Sequence, residues 1–423
     1  MLDLLVTNAN LTDGKAVDIA VADGRISEVA PGIKGPAHEV IDAAGQLVTA
    51  PFVDSHFHMD STLTCGLPRH NESGTLLEGI MLWDELKPSL TAEAVKERAL
   101  ELCRWSIARG TLAIRSHVDV SDPSLLAVEV LLEVREELRP WLDLQLVAFP
   151  QNGYLRQPGA VHNLARALDL GVEVVGGIPH FERSEAQGRE SVRLLCELAA
   201  ARDLPVDMHC DESDDPWSRQ VEELAAQTQR LGLHGRVSGS HLTSMHSMDN
   251  YYVSKLMALM QEAQLHVIAN PLINITLQGR HDTYPKRRGM TRVKELMAAG
   301  INVAMGHDCV MDPWYRLGSH DMLDVAHMGL HVGHLTGRGE MLAAFDAVTK
   351  NGAAILQLGD YGIEKGNSAD FVILQCTDPV EALRLRPVRL YVVRRGKVVA
   401  ETAPVFSRVA MGETRYDVSF KMP

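Results

Sequence analysis

Apolar and polar positions alternate through residues 1–49, and turn signals punctuate them at Asp13-Gly14, Asp23-Gly24 and Gly32. Residues 4–6, 17–21 and 26–29 read as short antiparallel strands, with Asp23-Gly24 as a hairpin turn between the last two. From residue 50 the pattern changes to short apolar runs with polar ends, at 51–58, 111–119, 143–149, 172–178, 205–212, 236–241, 265–270 and 301–308. Helical patterns lie between them at 92–108, 125–138, 160–170, 189–201, 217–231, 250–263 and 291–299. Strands that alternate with helices pair in parallel, and eight such units over about 250 residues predict an α/β fold, a closed (β/α)8 TIM barrel. An open doubly wound sheet is the alternative, but it normally shows a Gly-rich phosphate turn after an early strand, and none stands here.

Helical patterns follow at 322–335 and 341–358, and strand patterns return at 369–374 and 390–400. Two β segments too small to hold separate cores combine most simply into one small β-sandwich. The expected organisation is therefore a β-sandwich domain from 1–49 and 366–423, flanking a catalytic barrel at 50–365.

Composition narrows the class. With 46% hydrophobic residues the 423-residue chain can bury a large core, and its net charge of −14 argues against a nucleic-acid or anionic-membrane partner. No apolar run reaches the roughly 18 residues of a membrane span, and no basic-then-apolar leader opens the sequence. Six scattered cysteines without a C-x-x-C pair read as reduced thiols, so a cytoplasmic location is expected.

The polar residues gather at the C-terminal ends of the strands, where barrel enzymes build their sites. His56 and His58 are two residues apart in an extended run and so project to the same side. His209, His241 and Asp308 stand at later strand tips. In a chain with 18 histidines any one of them could be structural. Their joint occurrence at strand tips points to a metal centre with a position left open for water. Such donors suit Fe2+ or Zn2+, which lower the pKa of bound water toward about 7. Glu212 lies three residues beyond His209, where a carboxyl group can carry protons. Its alternative is a surface acid within the acidic stretch 211–215. Gln151 offers a donor and an acceptor in one amide, matching a lactam or ureide edge, or else it caps a loop. His117 and Asp119 read as supporting residues behind the mouth.

These residues carry a resemblance. Pro51-Phe-Val-Asp-Ser-His-Phe-His-Met-Asp60, Ser116-His-Val-Asp119, Val147-Ala-Phe-Pro-Gln151, Asp207-Met-His-Cys-Asp-Glu212 and Ser240-His-Leu-Thr-Ser-Met-His246 resemble bacterial cytosine deaminases of the amidohydrolase superfamily. Asn270-Pro-Leu-Ile-Asn274, Asp282-Thr-Tyr-Pro-Lys-Arg-Arg-Gly289, Gly306-His-Asp308 and Asp312-Pro-Trp-Tyr315 extend the match over nearly the whole chain. The resemblance implies one divalent metal per subunit, iron replaceable by zinc, and hydrolytic loss of ammonia from a free pyrimidine base. It also implies a homo-oligomer. By position, His56, His58, His209 and Asp308 would hold the metal, Glu212 would shuttle protons, and His241 would hydrogen-bond the attacking oxygen. Gln151 would hold the carbonyl edge of the base, with Leu76, Phe149 and Trp314 lining the pocket.

One departure matters. The family pattern has a second acid after the metal-binding aspartate, and Cys309 stands there instead. In the family that acid lies near the ring edge bearing C5, so a smaller and less polar thiol leaves room for a substituent. The expected substrate is 5-methylcytosine, giving thymine, with cytosine as the alternative. Related deaminations of isoguanine or a triazine differ only in pocket shape. A two-metal hydantoinase-like centre needs a lysine at the fourth barrel strand, which here ends Gly176-Gly-Ile-Pro-His180. A barrel without chemistry would lack the proton carrier that Glu212 supplies.

Overall fold

The computed structural model describes residues 1–420. Contacts divide the chain into two compact units, Met1–Thr49 with the segment from Gly362 onward, and Ala50–Tyr361. The strand pattern resumes at Gly366, but the barrel unit ends at Tyr361, whose hydroxyl donates to the Pro51 carbonyl at 2.6 Å.

The first unit opens with β1 (Leu2–Asn10), β2 (Ala16–Ala22), β3 (Arg25–Ala30), β4 (Ala37–Asp42) and β5 (Leu47–Thr49). Strand β1 takes antiparallel β2 on one edge and parallel β4, then β5, on the other. Asp23 and Gly24 both have positive φ (53° and 71°), as a two-residue hairpin turn requires.

In the second unit the apolar runs become β6 (Phe52–Phe57), β7 (Thr111–Asp119), β8 (Asp143–Phe149), β9 (Val174–Gly177), β10 (Val206–Cys210), β11 (Val237–His241), β12 (His266–Ala269) and β13 (Val303–Met305). They pair in parallel in chain order. Almost every strand residue is buried, as a sheet enclosed by helices demands.

The helices are α1 (Leu76–Leu86), α2 (Ala92–Ala108), α3 (Leu126–Leu138), α4 (Ala160–Leu170), α5 (Glu185–Arg202), α6 (Gln220–Leu231) and α7 (Asn250–Glu262). After them come α8 (Pro271–Leu277), α9 (Val293–Ala298), α10 (Met322–Val332), α11 (Arg338–Asp346) and α12 (Lys350–Ile355). Helices α1 and α8 were not expected. The first is capped by the Thr75 hydroxyl, which accepts from the Glu78 N–H, and the second starts on Pro271.

The helix expected at 341–358 breaks instead into α11 and α12, and the break has a purpose in the sheet. The Ala347 carbonyl accepts from Met305 N–H at 2.9 Å, and the Val348 carbonyl from Val53 N–H at 3.0 Å. The segment thus bridges β13 and β6 where they do not bond each other directly. Toward the C-terminal mouth the two edges do meet. Asp308 N–H donates to the His56 carbonyl at 2.8 Å, and His58 N–H to the Asp308 carbonyl at 2.9 Å. The barrel closes there.

The chain then returns to the first unit with β14 (Phe371–Leu374), α13 (Pro379–Leu385), β15 (Arg389–Arg394) and β16 (Lys397–Glu401), followed by a hairpin of β17 (Ser407–Met411) and β18 (Thr414–Val418). Strand β14 pairs with β5, so the sheet joins both ends of the chain, and Leu4, Ile19, Val48, Phe371 and Val393 share one core. Among the described residues no helix is long and apolar enough to cross a membrane.

The seam leaves no room at Gly306. A Cβ there would stand 2.8 Å from the His56 carbonyl and 2.6 Å from Asn270 Oδ1. Gly306→Ala is therefore expected to cost about 1–3 kcal/mol, read as a lower urea midpoint. Gly359→Ala, with nothing within 4 Å of its Cβ, serves as the neutral control.

Candidate metal centre and pocket

Closing the barrel brings His56 and His58 beside Asp308, because the bonds of the seam run through these residues. Asp308 Oδ1 lies 3.6 Å from His56 Nε2 and 3.4 Å from His58 Nε2. His209 arrives from the tip of β10, with its Nε2 2.9 Å from His58 Nε2. His117 from β7 completes a group of four buried imidazoles, while His241 from β11 joins His56 and Asp308 in a second. Metal–nitrogen bonds of about 2.0–2.1 Å place ligand atoms about 3.0–3.4 Å apart. The observed spacings fall close to that range.

Hydrogen bonding supports the fit. Buried Asp207 receives the Arg115 guanidinium at 3.0 Å and the Ser240 hydroxyl at 2.7 Å. Burial opposes ionisation of Asp207, yet His117 and Arg115 outweigh it and hold the carboxyl below its usual range. Ser240 has one hydrogen, given to Asp207, so its oxygen accepts from His56 Nδ1 at 2.9 Å. That fixes the tautomer and leaves the His56 Nε2 lone pair free. This atom is buried and has no hydrogen-bond partner. Burial also holds His56, His58, His209 and His241 well below the usual imidazole range, so they stay neutral, the form a ligand needs. The site is built for a divalent metal ion.

Beside this centre is a pocket lined by His58, Leu76, Gln151, His209, Glu212, His241, Asp308, Cys309 and Trp314, with Ile178, Ile273 and Leu277 completing its wall. Of the residues expected to touch the substrate, Phe149 alone is absent from the lining. Its ring lies deeper, stacked on His209 at 4.1 Å and 20°, so it braces an imidazole. The His241 ring bridges two acids, with Nδ1 3.3 Å from Glu212 Oε1 and Nε2 3.7 Å from Asp308 Oδ2. Burial, then the Asp308 charge, pushes the Glu212 carboxyl well above its usual range. A buried acid of this kind can hold a proton near neutral pH and pass it on.

Cys309 is buried, with its thiol 3.5 Å from Asp308 Oδ1. Burial, followed by Asp312 and Asp308, pushes that thiol far up, so it stays neutral. Trp314 closes one side, and Gly79 of α1 makes way for it, since a Cβ there would lie 2.3 Å from the indole.

Sequence reasoning missed several members of the site. Asn274 Nδ2 is 2.9 Å from His241 Nδ1, and Asn270 Nδ2 is 3.3 Å from the same atom. Asn270 immediately precedes α8 and Asn274 lies within it, four residues apart, a helical spacing that could have been read. His117, expected to support the site from behind, stands within the imidazole group, its nearest acid oxygen 3.6 Å away on Asp207. Asp119 accepts from Trp83 Nε1 at 2.9 Å and Lys87 Nζ at 3.0 Å.

A family model described as Amidohydrolase family matches residues 39–400. The fold is similar to a crystal structure of 5-methylcytosine deaminase from Klebsiella pneumoniae liganded with 5-fluorocytosine, at 41% identity and TM-score 0.93 over 96% of this chain and 99% of that one. N-isopropylammelide isopropyl amidohydrolase of Pseudomonas sp. (strain ADP) is 28% identical over 94% of this chain and 97% of its own. Pterin deaminase of Rhizobium rhizogenes is 29% identical over 92% and 88%.

Elemental analysis of the purified protein should find about one divalent ion per chain. Asp308→Ala or His209→Ala should abolish it, whereas Glu212→Gln should keep it. Ser240→Ala, which frees the His56 tautomer, is expected to weaken metal affinity about 10–100-fold in a chelator competition.

Proposed function

The chain belongs to the amidohydrolase family, a hydrolase of cyclic C–N bonds, and from that premise we propose that it deaminates free 5-methylcytosine to thymine in preference to cytosine. The observation behind this reading is the neutral Cys309 thiol in the pocket wall next to Asp308. An acid at that point would add charge beside the substrate edge bearing C5, whereas a thiol leaves an apolar neighbour for a methyl group. The likeness to a solved 5-methylcytosine deaminase over nearly the full length of both chains supports the same substrate class.

His56, His58, His209 and Asp308 would hold the ion, iron or zinc, whose chemistry when bound is to acidify a water at neutral pH. Gln151 orients the base by pairing with its carbonyl and ring N–H, and Trp314 with Leu76 excludes bulk water. Glu212 takes a proton from the attacking water and gives it to the ring nitrogen next to C4. His241, between Glu212 and Asp308, hydrogen-bonds the attacking oxygen and keeps it aimed at C4. Glu212 then takes the remaining hydroxyl proton and delivers it to the departing amine. A C4–O bond forms, the C4–N bond breaks, and one water is consumed for each ammonia released. The six cysteines are free and five of them buried, which suits work in a reducing cytoplasm.

Ammonia release measured across 5-methylcytosine, cytosine, isoguanine, ammelide and pterin tests the assignment. The expected result is the highest kcat/KM on 5-methylcytosine, and a strong preference for cytosine or a purine overturns it. Cys309→Asp should shift the ratio toward cytosine by about 10- to 200-fold. Glu212→Gln should lower kcat by about 10²- to 10⁴-fold on every substrate.

A further inference from the structure

The run Asp282-Thr-Tyr-Pro-Lys-Arg-Arg-Gly289 contributes nothing to the pocket wall, yet it makes a dense set of bonds. Arg287 is its centre. Nε and Nη2 donate to the two oxygens of Asp282, each at 2.7 Å, and the Arg287 N–H reaches the same carboxylate at 3.1 Å. A planar guanidinium gripped along one edge has a fixed direction. The remaining nitrogen, Nη1, is thereby aimed at the Asp214 carbonyl and the Ser247 hydroxyl, both at 2.7 Å. Lys286 stiffens the same loop by donating to the Gly279 and Asp282 carbonyls at 2.9 and 2.8 Å.

Asp214 lies two residues beyond Glu212, on the loop that leaves β10. Its carboxylate accepts the Gly279 N–H at 2.8 Å, so the loop is tied to the 278–289 segment twice. On the other side of Glu212, Asp211 is held in the left-handed region (φ 51°) by bonds from Ser218, Gln220 and Val221 to its carboxylate. Thr243 adds a third tie, donating to the Asp211 and Ser213 carbonyls at 3.2 Å. Thr243 begins the short turn whose far end, Ser247, Arg287 also holds. The Glu212 peptide is thus clamped from the α6 side through Asp211 and from the opposite side through Arg287.

The geometry points to Arg287, set by Asp282, as a positioning residue that holds the loop of Glu212 at the distance proton transfer needs. This rests on the reading of Glu212 as the proton carrier. The guanidinium touches neither the pocket nor any metal-binding residue, so its effect must pass through the loop.

Steady-state kinetics of the metal-loaded full-length enzyme on 5-methylcytosine and cytosine test this, using Arg287→Ala, Glu212→Gln and the double variant. Arg287→Ala should lower kcat about 100-fold, the scale of a misplaced catalytic group, with KM and metal content close to wild type. Added guanidinium ion should restore part of the rate, and Arg287→Lys should not, because an ammonium cannot grip both Asp282 oxygens. In the Glu212→Gln background the same replacement should change kcat by no more than about two-fold. Asp282→Asn, milder in its effect on folding, should reproduce the kcat loss should Arg287→Ala prove insoluble. Wild-type kcat in Arg287→Ala or Asp282→Asn overturns the inference, as does an equal loss in both backgrounds. Wild-type kcat in Glu212→Gln alone instead overturns the role given to Glu212.

Discussion

Two backbone hydrogen bonds, Asp308 N–H to His56 and His58 N–H to Asp308, set the constraint on which the site depends. They join residues some 250 positions apart at the one place where the eight-stranded sheet must meet itself. Neighbouring strands sit about 4.8 Å apart, and side chains from paired tips converge closer still. The imidazole-to-carboxylate spacings of 3.4 and 3.6 Å follow from that register. Below the bridge the seam is filled by the carbonyls of Ala347 and Val348, so the closure belongs to the mouth alone. Asp54 reinforces it, accepting the His56 and His307 N–H groups at 3.1 Å each from the two sides of the seam. Its other oxygen lies 2.8 Å from His320 Nε2.

The tips bear the cost of this arrangement in their backbone. Asp211, His241 and Asp308 all have positive φ (51°, 71° and 69°), a region that costs a non-glycine residue about 1–2 kcal/mol. Such conformations last only where the surroundings over-determine them. Each has the required ties. The Asp211 carboxylate is held by Ser218, Gln220 and Val221, Asp308 has the seam, and Leu242, next to His241, donates its N–H to the Cys210 and Ser240 carbonyls at 3.0 and 3.1 Å. His209 and Glu212, on either side of the turn at Asp211, both line the pocket, as do Asp308 and Cys309.

The eight strands were legible because each apolar run ended in residues no core would bury unpaired, and the His56–His58 spacing announced a shared face. Glu212 and Cys309 were legible through their neighbours, His209 and Asp308. What escaped was mostly packing against the grain of local pattern. Helix α1 was hidden by the glycines and proline before it, though Thr75-Leu-Leu-Glu78 is a capping signature. Helix α8 has only seven residues, too few for a period to show. The break at 347–349 answers a need of distant strands, which no local pattern records. The Arg115–Asp207 pair was invisible for a similar reason. Charged residues in apolar strands look like interruptions until the fold shows each neutralising the other, with Gln145 accepting from Nε and the Ile355 carbonyl from Nη2. Phe149 was placed one layer too shallow because the resemblance gave its place along the chain, not its depth.

The same seam gives the proposed specificity position a place of its own, apart from the residues proposed for the chemistry. Position 309 immediately follows Asp308, a proposed metal ligand, where a substitution ought to endanger the centre. Yet the two residues are fastened to different things. Asp308 is bonded through its backbone to His56 and His58, whereas Cys309 donates its N–H to the His307 carbonyl at 2.9 Å, and the Cys309 carbonyl lies 2.9 Å from His307 Nδ1. A change of side chain at 309 therefore alters the pocket wall and the thiol contact with Asp308 Oδ1, while the backbone bonds that place Asp308 stay as they are. Glu212 is insulated in the same way, since its loop is fixed by Asp211 and Arg287 and not by the pocket. On the proposed assignment, metal ligands, proton carrier and specificity wall each have their own anchorage, so the wall is the part free to vary.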